Sequence, residues 1–233
     1  MDSATYTTRR SEIEQYFDRT AAAAWARLTS DAPVGRIRAT VRAGRDRMRN
    51  TLLSWLPADM HDQRLLDAGC GTGALAIEAA RRGATVVAID LSPTLVNLAR
   101  ERLPIIVGGG SVDLRSGDML DASLGHFDHV VAMDSIIHYR TDDAVAALSR
   151  LAERTSGTIN FTYAPGTPLL TAMISVGRLF PRGDRAPWLT PMAADRLDAL
   201  RSRDATLRTW QVGKTQRVSS GFYTSQALQW VHG

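Results

Sequence analysis

Arg64-Leu65-Leu66-Asp67-Ala68-Gly69-Cys70-Gly71-Thr72-Gly73 begins as a short apolar run and ends in three glycines spaced by two. The apolar run suits a buried strand. The glycines suit a tight strand-to-helix turn whose backbone approaches a ligand with no Cβ in the way. Ala74 to Arg82 follows as a helix stopped by Gly83, and Thr85 to Asp90 as a β-branched strand. Ser92-Pro93 then pairs an N-cap with a proline at the first helical position, opening a helix to about Leu103.

The same alternation continues. Val112 to Arg115 and Phe127 to Met133 suit strands, Thr141-Asp142-Asp143 caps a helix to about Arg154, and Thr158 to Tyr163 suits a fifth strand. Strands alternating with helices predict an α/β fold, a doubly wound parallel sheet covered on both faces. After a helix near Met192 to Arg203, Thr206 to Val212 and Phe222 to Val231 stand too close for a crossover helix. They are expected to close the sheet, seven-stranded in all, as an antiparallel hairpin.

Upstream, Ser11-Glu12-Ile13-Glu14 has the form of a capping box ahead of a helix carrying Tyr16 and Phe17. Val34 to Leu56 is a longer amphipathic helix: Ile37, Val41, Met48, Leu52 and Leu56 recur on one face, and Pro57 ends it. Arg38, Arg42, Arg45 and Arg49 share another face. The expected organisation is an N-terminal helical cap over residues 1–60 and a catalytic domain over 61–233, with 165–191 inserted on the substrate side.

Composition narrows the function. The chain has 233 residues and 28 basic ones; Lys214 is its one lysine, so 27 are arginine. The net charge is only +4, a small excess for a protein that lives on phosphate contacts. The single cysteine, Cys70, makes no internal disulfide and fits a reducing compartment. No apolar stretch has the length of a membrane span, and Met1 to Arg10 lacks an apolar signal core, so a cytoplasmic location is expected, with peripheral membrane attachment left open. His61, His126, His129 and His232 show no metal-ligand spacing, and no protein-bound metal is expected.

Gly69, Gly71 and Ala74 also satisfy the dinucleotide fingerprint, and Asp90, 21 residues past Gly69, can take ribose hydroxyls in either case. Three features argue against a dinucleotide. Asp67 precedes the first glycine by two residues, which suits a ligand with a free ammonium and no pyrophosphate. Gly117-Asp118-Met119 follows the third strand, where an Asp can take an adenine amino group. The chain ends in the hairpin. Together these residues resemble the class I S-adenosylmethionine-dependent methyltransferases over roughly 64–231. The resemblance implies that Asp67, Gly69, Gly71 and Gly73 line the methionine and ribose portion. It places Asp90 on the ribose, Leu91, Asp118 and Met119 around the adenine, and Met133 near the sulfonium.

The fourth strand runs into Asp134-Ser135-Ile136-Ile137-His138-Tyr139, without the Asn/Asp-Pro-Pro-Tyr/Phe segment common in methyltransferases of base or glutamine amino groups. Glu14-Gln15-Tyr16-Phe17, Trp25, Arg42-Ala43-Gly44-Arg45, Asp67 to Gly73, Asp134 to Tyr139, Gly177-Arg178-Leu179-Phe180-Pro181 and Gly221-Phe222-Tyr223-Thr224-Ser225 are similar to the magnesium-protoporphyrin IX O-methyltransferases of (bacterio)chlorophyll biosynthesis. One departure stands out: Trp25-Ala26-Arg27-Leu28-Thr29 lacks the tyrosine that relatives carry shortly after the tryptophan. A catalytic tyrosine from this stretch is therefore not carried over, unless Tyr16 supplies it.

That resemblance implies methyl transfer from S-adenosylmethionine to a porphyrin propionate, giving a monomethyl ester. A carboxylate needs no strong base at pH 7, so His138 is expected to donate to one carboxylate oxygen or to take the proton if the acid binds. Tyr139, Phe180, Arg38 and Arg42 are the expected substrate contacts. Leu169, Leu170, Met173, Ile174, Leu179 and Phe180 supply either an apolar wall or a helix packed on the sheet. The arginine stripe has three functional roles open to it besides a solvated face: the propionates, an acidic partner such as the magnesium chelatase subunit that supplies the substrate, or anionic membrane. A methyltransferase of a quinone or phenol, and a cofactor-binding RNA-associated protein, are the competing functions.

Overall fold

The computed structural model describes residues 4–20, 25, 28–29, 33, 35–166 and 189–233. The glycine-rich stretch lies where expected, between β1 (Arg64–Ala68) and α3 (Ala74–Arg81). Ahead of it come α1 (Ala4–Gln15) and α2 (Arg36–Ser54). After it come β2 (Thr85–Asp90), α4 (Pro93–Arg102), β3 (Ser111–Ser116), β4 (Phe127–Ala132), α5 (Thr141–Ala152), β5 (Thr155–Tyr163), α6 (Ala194–Arg203), β6 (Trp210–Ser220) and β7 (Tyr223–His232). The strand order is β3-β2-β1-β4-β5-β7-β6. Strands β1 to β5 pair in parallel, and β7 runs antiparallel to both β5 and β6. The order reverses between β1 and β4, and the carboxyl ends of those strands form the ligand crevice of such sheets.

Alternation along the strands explains why both faces are dry. Leu66, Val87, Ile89 and Val130 join the cluster with Leu148, Leu151, Phe161, Trp210 and Trp230. Leu65, Val86, Ala88 and Val131 join the opposite cluster, with Met48 and Leu52 of α2 and Leu75 and Ala79 of α3. Period-two side chains on a parallel sheet thus bury against helices on each side.

Several local expectations are corrected. Ser11 caps nothing: α1 starts at Ala4 and runs through it, because Tyr6 and Ile13, two turns apart, are both buried. Thr141 is the first helical residue of α5 and Arg140 the N-cap, which makes no side-chain capping bond. Asp142 and Asp143 sit in the first turn, where the helix dipole favours them. Ser92 does cap α4, accepting from Leu95 N at 3.2 Å. Strand β6 starts at Trp210 and reaches Ser220, whereas a strand ending at Val212 was expected. Gly213-Lys214-Thr215-Gln216-Arg217 is polar because β6 is an edge strand that buries little, and its pairing shifts register between Val212 and Thr215. Ile37 is 60% exposed, so the apolar face of α2 begins only further along the helix. The expected helix Leu169 to Phe180 lies outside the described residues.

Candidate active site

A cavity of about 310 Å³ opens at the carboxyl ends of β1 and β4, walled by the glycine loop, α2 and the segment after β4. The glycine loop is built by backbone geometry. Gly69 has φ +89° and Gly71 φ +54°. A Cβ on Gly69 would stand 2.3 Å from Ser135 Cβ, so only glycine lets the loop and the β4 segment close together. Gly73, at φ +79°, is the N-cap of α3 and shapes the turn; it is not among the residues that line the cavity.

Asp90 is fixed by two backbone donors, Gly71 N to Oδ2 at 2.8 Å and Ser92 N to Oδ1 at 3.0 Å. Burial raises its pKa, and those backbone bonds pull it back. Asp67 is 1% exposed, and its Oδ2 has no hydrogen-bond partner. Burial first, then the negative charge of Asp90, push its carboxyl up to about 7. An orphaned buried carboxylate oxygen in a cavity wall calls for a cationic ligand group. The amino-acid ammonium of S-adenosylmethionine is such a group, and Asp90 beside it suits the ribose, so the residues present fit this cofactor.

Asp118 brings an unforeseen arrangement. Its Oδ1 accepts from the Tyr6 hydroxyl at 3.0 Å and from Leu120 N at 2.9 Å, and its Oδ2 pairs with Arg10 at 2.8 Å. Tyr6 stacks on Tyr139, ring centres 4.8 Å apart and planes 15° apart, which raises the pKa of both phenols mainly through burial. Helix α1 is thereby tied to the expected adenine side of the cavity. Asp18 extends the tie, accepting from Thr94 N at 3.1 Å at the start of α4. Leu91, Met119 and Met133 line the same cavity.

His138 lies in the single turn Ile136–His138, 6% exposed, with its ring edge-on to Phe17 at 5.8 Å. Phe17 meets Trp25 edge-on at 5.4 Å in turn. The arginine stripe divides. Arg42, Arg45 and Arg49 line the cavity, whereas Arg38 is exposed and does not, so its expected substrate contact is not brought to this site. Arg42 donates from Nε to Leu28 O at 2.9 Å, and Arg49 pairs with Asp46 at 2.9 Å. Phe180 lies outside the described residues.

Sequence reasoning missed Tyr6 and Asp134, which line the cavity, and Arg10, which pairs with Asp118. Only the seven-residue spacing of Tyr6 and Ile13 carried a signal for the first. Among the described residues no cluster of His, Cys, Asp and Glu suits a metal ion, and no helix is long and apolar enough to cross a membrane.

Residues 132–232 match the family described as magnesium-protoporphyrin IX methyltransferase C-terminus, and residues 65–156 match a general methyltransferase domain. The chain is 48% identical over 226 residues to the magnesium-protoporphyrin O-methyltransferase of Rhodobacter capsulatus, covering 97% of each. It is 30% identical over 219 residues to the Synechocystis enzyme of that name, covering 93% of this chain and 94% of the relative. The crystal structure of the Synechocystis magnesium protoporphyrin IX methyltransferase with bound S-adenosylhomocysteine aligns with TM-score 0.83 at 26% identity, covering 96% of this chain and all of that one.

Proposed function

The chain belongs to the magnesium-protoporphyrin O-methyltransferase family, and from that membership we propose that it methylates one propionate of magnesium protoporphyrin IX with S-adenosylmethionine as donor. The observation that carries this reading is the 48% identity to the Rhodobacter enzyme across 97% of both chains, cap and hairpin included.

The bound donor supplies an electrophilic methyl group: the carboxylate oxygen forms the new C–O bond, and the sulfur keeps the electron pair of the broken S–C bond. The rest is the work of this chain. Asp67 meets the ammonium, Asp90 the ribose hydroxyls, and Gly69 and Gly71 let the backbone close on both. Leu91, Met119 and Met133 give apolar walls, and Asp118 faces the adenine amino group in competition with Tyr6 and Arg10. His138 holds one oxygen of the propionate, or takes its proton when the acid binds, and Tyr139 flanks it. A dry cavity favours two opposite charges that vanish together. Phe180 and Arg42 belong to the proposed substrate contacts; Arg38, on the exposed start of α2, is reassigned to an outer surface for the chelatase subunit that delivers the porphyrin. The proposed division is a cap over 1–60 and a catalytic domain over 61–233.

The test is incubation of the chain with magnesium protoporphyrin and methyl-labelled donor. A labelled monomethyl ester is expected. No labelled ester with porphyrin, and label on a quinone or phenol instead, would replace this reading with the small-molecule alternative.

A further inference from the structure

Arg45 is held from two sides. Its Nη1 donates to Asp134 Oδ2 at 2.6 Å, and its guanidinium carbon lies 4.4 Å from the centre of the Trp25 ring. Asp134 serves as an anchor: it also accepts from the Tyr223 hydroxyl at 3.1 and 3.2 Å and from the Thr162 hydroxyl at 3.1 Å. Its backbone stands at φ +53°, uncommon for a residue with a side chain, and its N–H donates to Thr162 Oγ1 at 2.8 Å. Surroundings that over-determine a strained residue belong to sites where position matters.

The anchor uses one edge of the guanidinium. Among the described residues Nε and Nη2 of Arg45 have no hydrogen-bond partner, although the side chain is only 20% exposed and lines the cavity. One turn further along α2, Arg49 lines the same cavity with a buried Nε that also lacks a partner. Trp25 Nε1 lies 3.3 Å from the place a Cβ on Gly71 would occupy, so this group stands beside the glycine loop. A planar fork with donors to spare, held over an indole ring and fixed at one corner, is preorganised for a second carboxylate.

We propose that Arg45 is a carboxylate-binding residue of this site, with Asp134, Tyr223 and Trp25 as its positioning residues. The inference rests on the methyltransferase reading and deepens it. Its ligand is an aliphatic carboxylate, which either reactant carries: the amino-acid end of the donor or a propionate of the porphyrin.

The test uses Arg45→Lys in the full chain, which keeps a cation for Asp134 and loses the fork. Four probes are titrated: S-adenosylhomocysteine, methylthioadenosine (which lacks the amino-acid end), magnesium protoporphyrin and its dimethyl ester. Loss of a charge-assisted pair weakens binding by about tenfold or more. A donor carboxylate gives that loss for S-adenosylhomocysteine and none for methylthioadenosine. A propionate gives it for the porphyrin and none for its diester. Tyr223→Phe is expected to weaken the same carboxylate probe and no other, which separates positioning from a merely structural role. If Arg45→Lys does not fold, Arg45→Met combined with Asp134→Asn removes both charges and faces the same four probes. Unchanged binding of all four overturns the proposal. Failure of the unaltered chain to bind the porphyrin strikes the function instead, and leaves the two nucleoside arms to decide for Arg45.

Discussion

Gly44 faces Tyr223 so closely that a Cβ at position 44 would stand 2.6 Å from Tyr223 Cδ1 and 3.0 Å from its Cβ. The missing side chain lets α2 lie against β7, and the phenol that fills the gap continues to Asp134 and so to Arg45. Two distant sequence segments, Arg42 to Arg45 and Gly221 to Ser225, thus meet in one contact.

Gly44→Ala is therefore expected to destabilise the chain although alanine is the better helix former. The propensity gain is about 1 kcal/mol, against about 1–3 kcal/mol for forcing a carbon into a filled space. Thermal melting measures the balance. An unchanged or raised melting temperature would mean that the ring moves aside at little cost.

Asp67 predicts a pH dependence. Its carboxyl is pushed from the ordinary 3.8 up to about 7, so between those values the folded chain keeps a proton that the unfolded chain has released. Its contribution to stability is fully present below 3.8 and lost as the pH rises through about 7. A ligand ammonium favours the ionised form, so donor binding releases a proton here and weakens by up to about tenfold per pH unit as the pH falls below about 7. Titration with S-adenosylhomocysteine in buffers of different ionisation enthalpy measures the release. Asp67→Asn should flatten both the stability and the binding profile, and an equal proton release in that variant would assign it elsewhere.

Asp134→Ala leaves Arg45 and the Tyr223 hydroxyl without their shared acceptor. The Asp134 side chain is 6% exposed and that of Arg45 20%, so breaking this pair is expected to cost about 3 kcal/mol, the lower end for buried ion pairs. Denaturant unfolding measures it. A change below about 0.5 kcal/mol, the range of surface substitutions, would show the pair to be solvated in solution.

How much of this was legible follows from what each residue obeys. The sheet was legible because β1, β2 and β4 bury side chains on both faces and so read as short apolar runs, bounded by glycines that turn. Strand β6 was mistaken over Gly213 to Arg217 because an edge strand with one neighbour needs no apolar pattern. Asp67, Asp90 and Asp118 were legible by position relative to strand ends. Their partners were not: Tyr6 and Arg10 reach Asp118 across more than a hundred residues, and no local spacing encodes such a contact. The arginine stripe was visible as a helical face, but which members meet the cavity depends on how α2 lies on β6 and β7, a tertiary fact.

His138 sits four residues past Asp134 and edge-on to Phe17, buried where the cavity, the cap and the end of β4 converge. If it holds or deprotonates the propionate, His138→Ala should lower kcat by about a hundredfold. The affinity for S-adenosylhomocysteine should stay as it is, because none of the proposed donor contacts, Asp67, Asp90 and Asp118 among them, is His138. His138→Gln, which keeps a hydrogen-bond donor and loses the base, divides the two roles. Recovery of most of the turnover at pH 7 assigns His138 to holding an oxygen, and loss equal to alanine assigns it to the proton. If instead His138→Ala turns over normally, the imidazole is a packing partner for Phe17 and the carboxylate is positioned by the arginines alone.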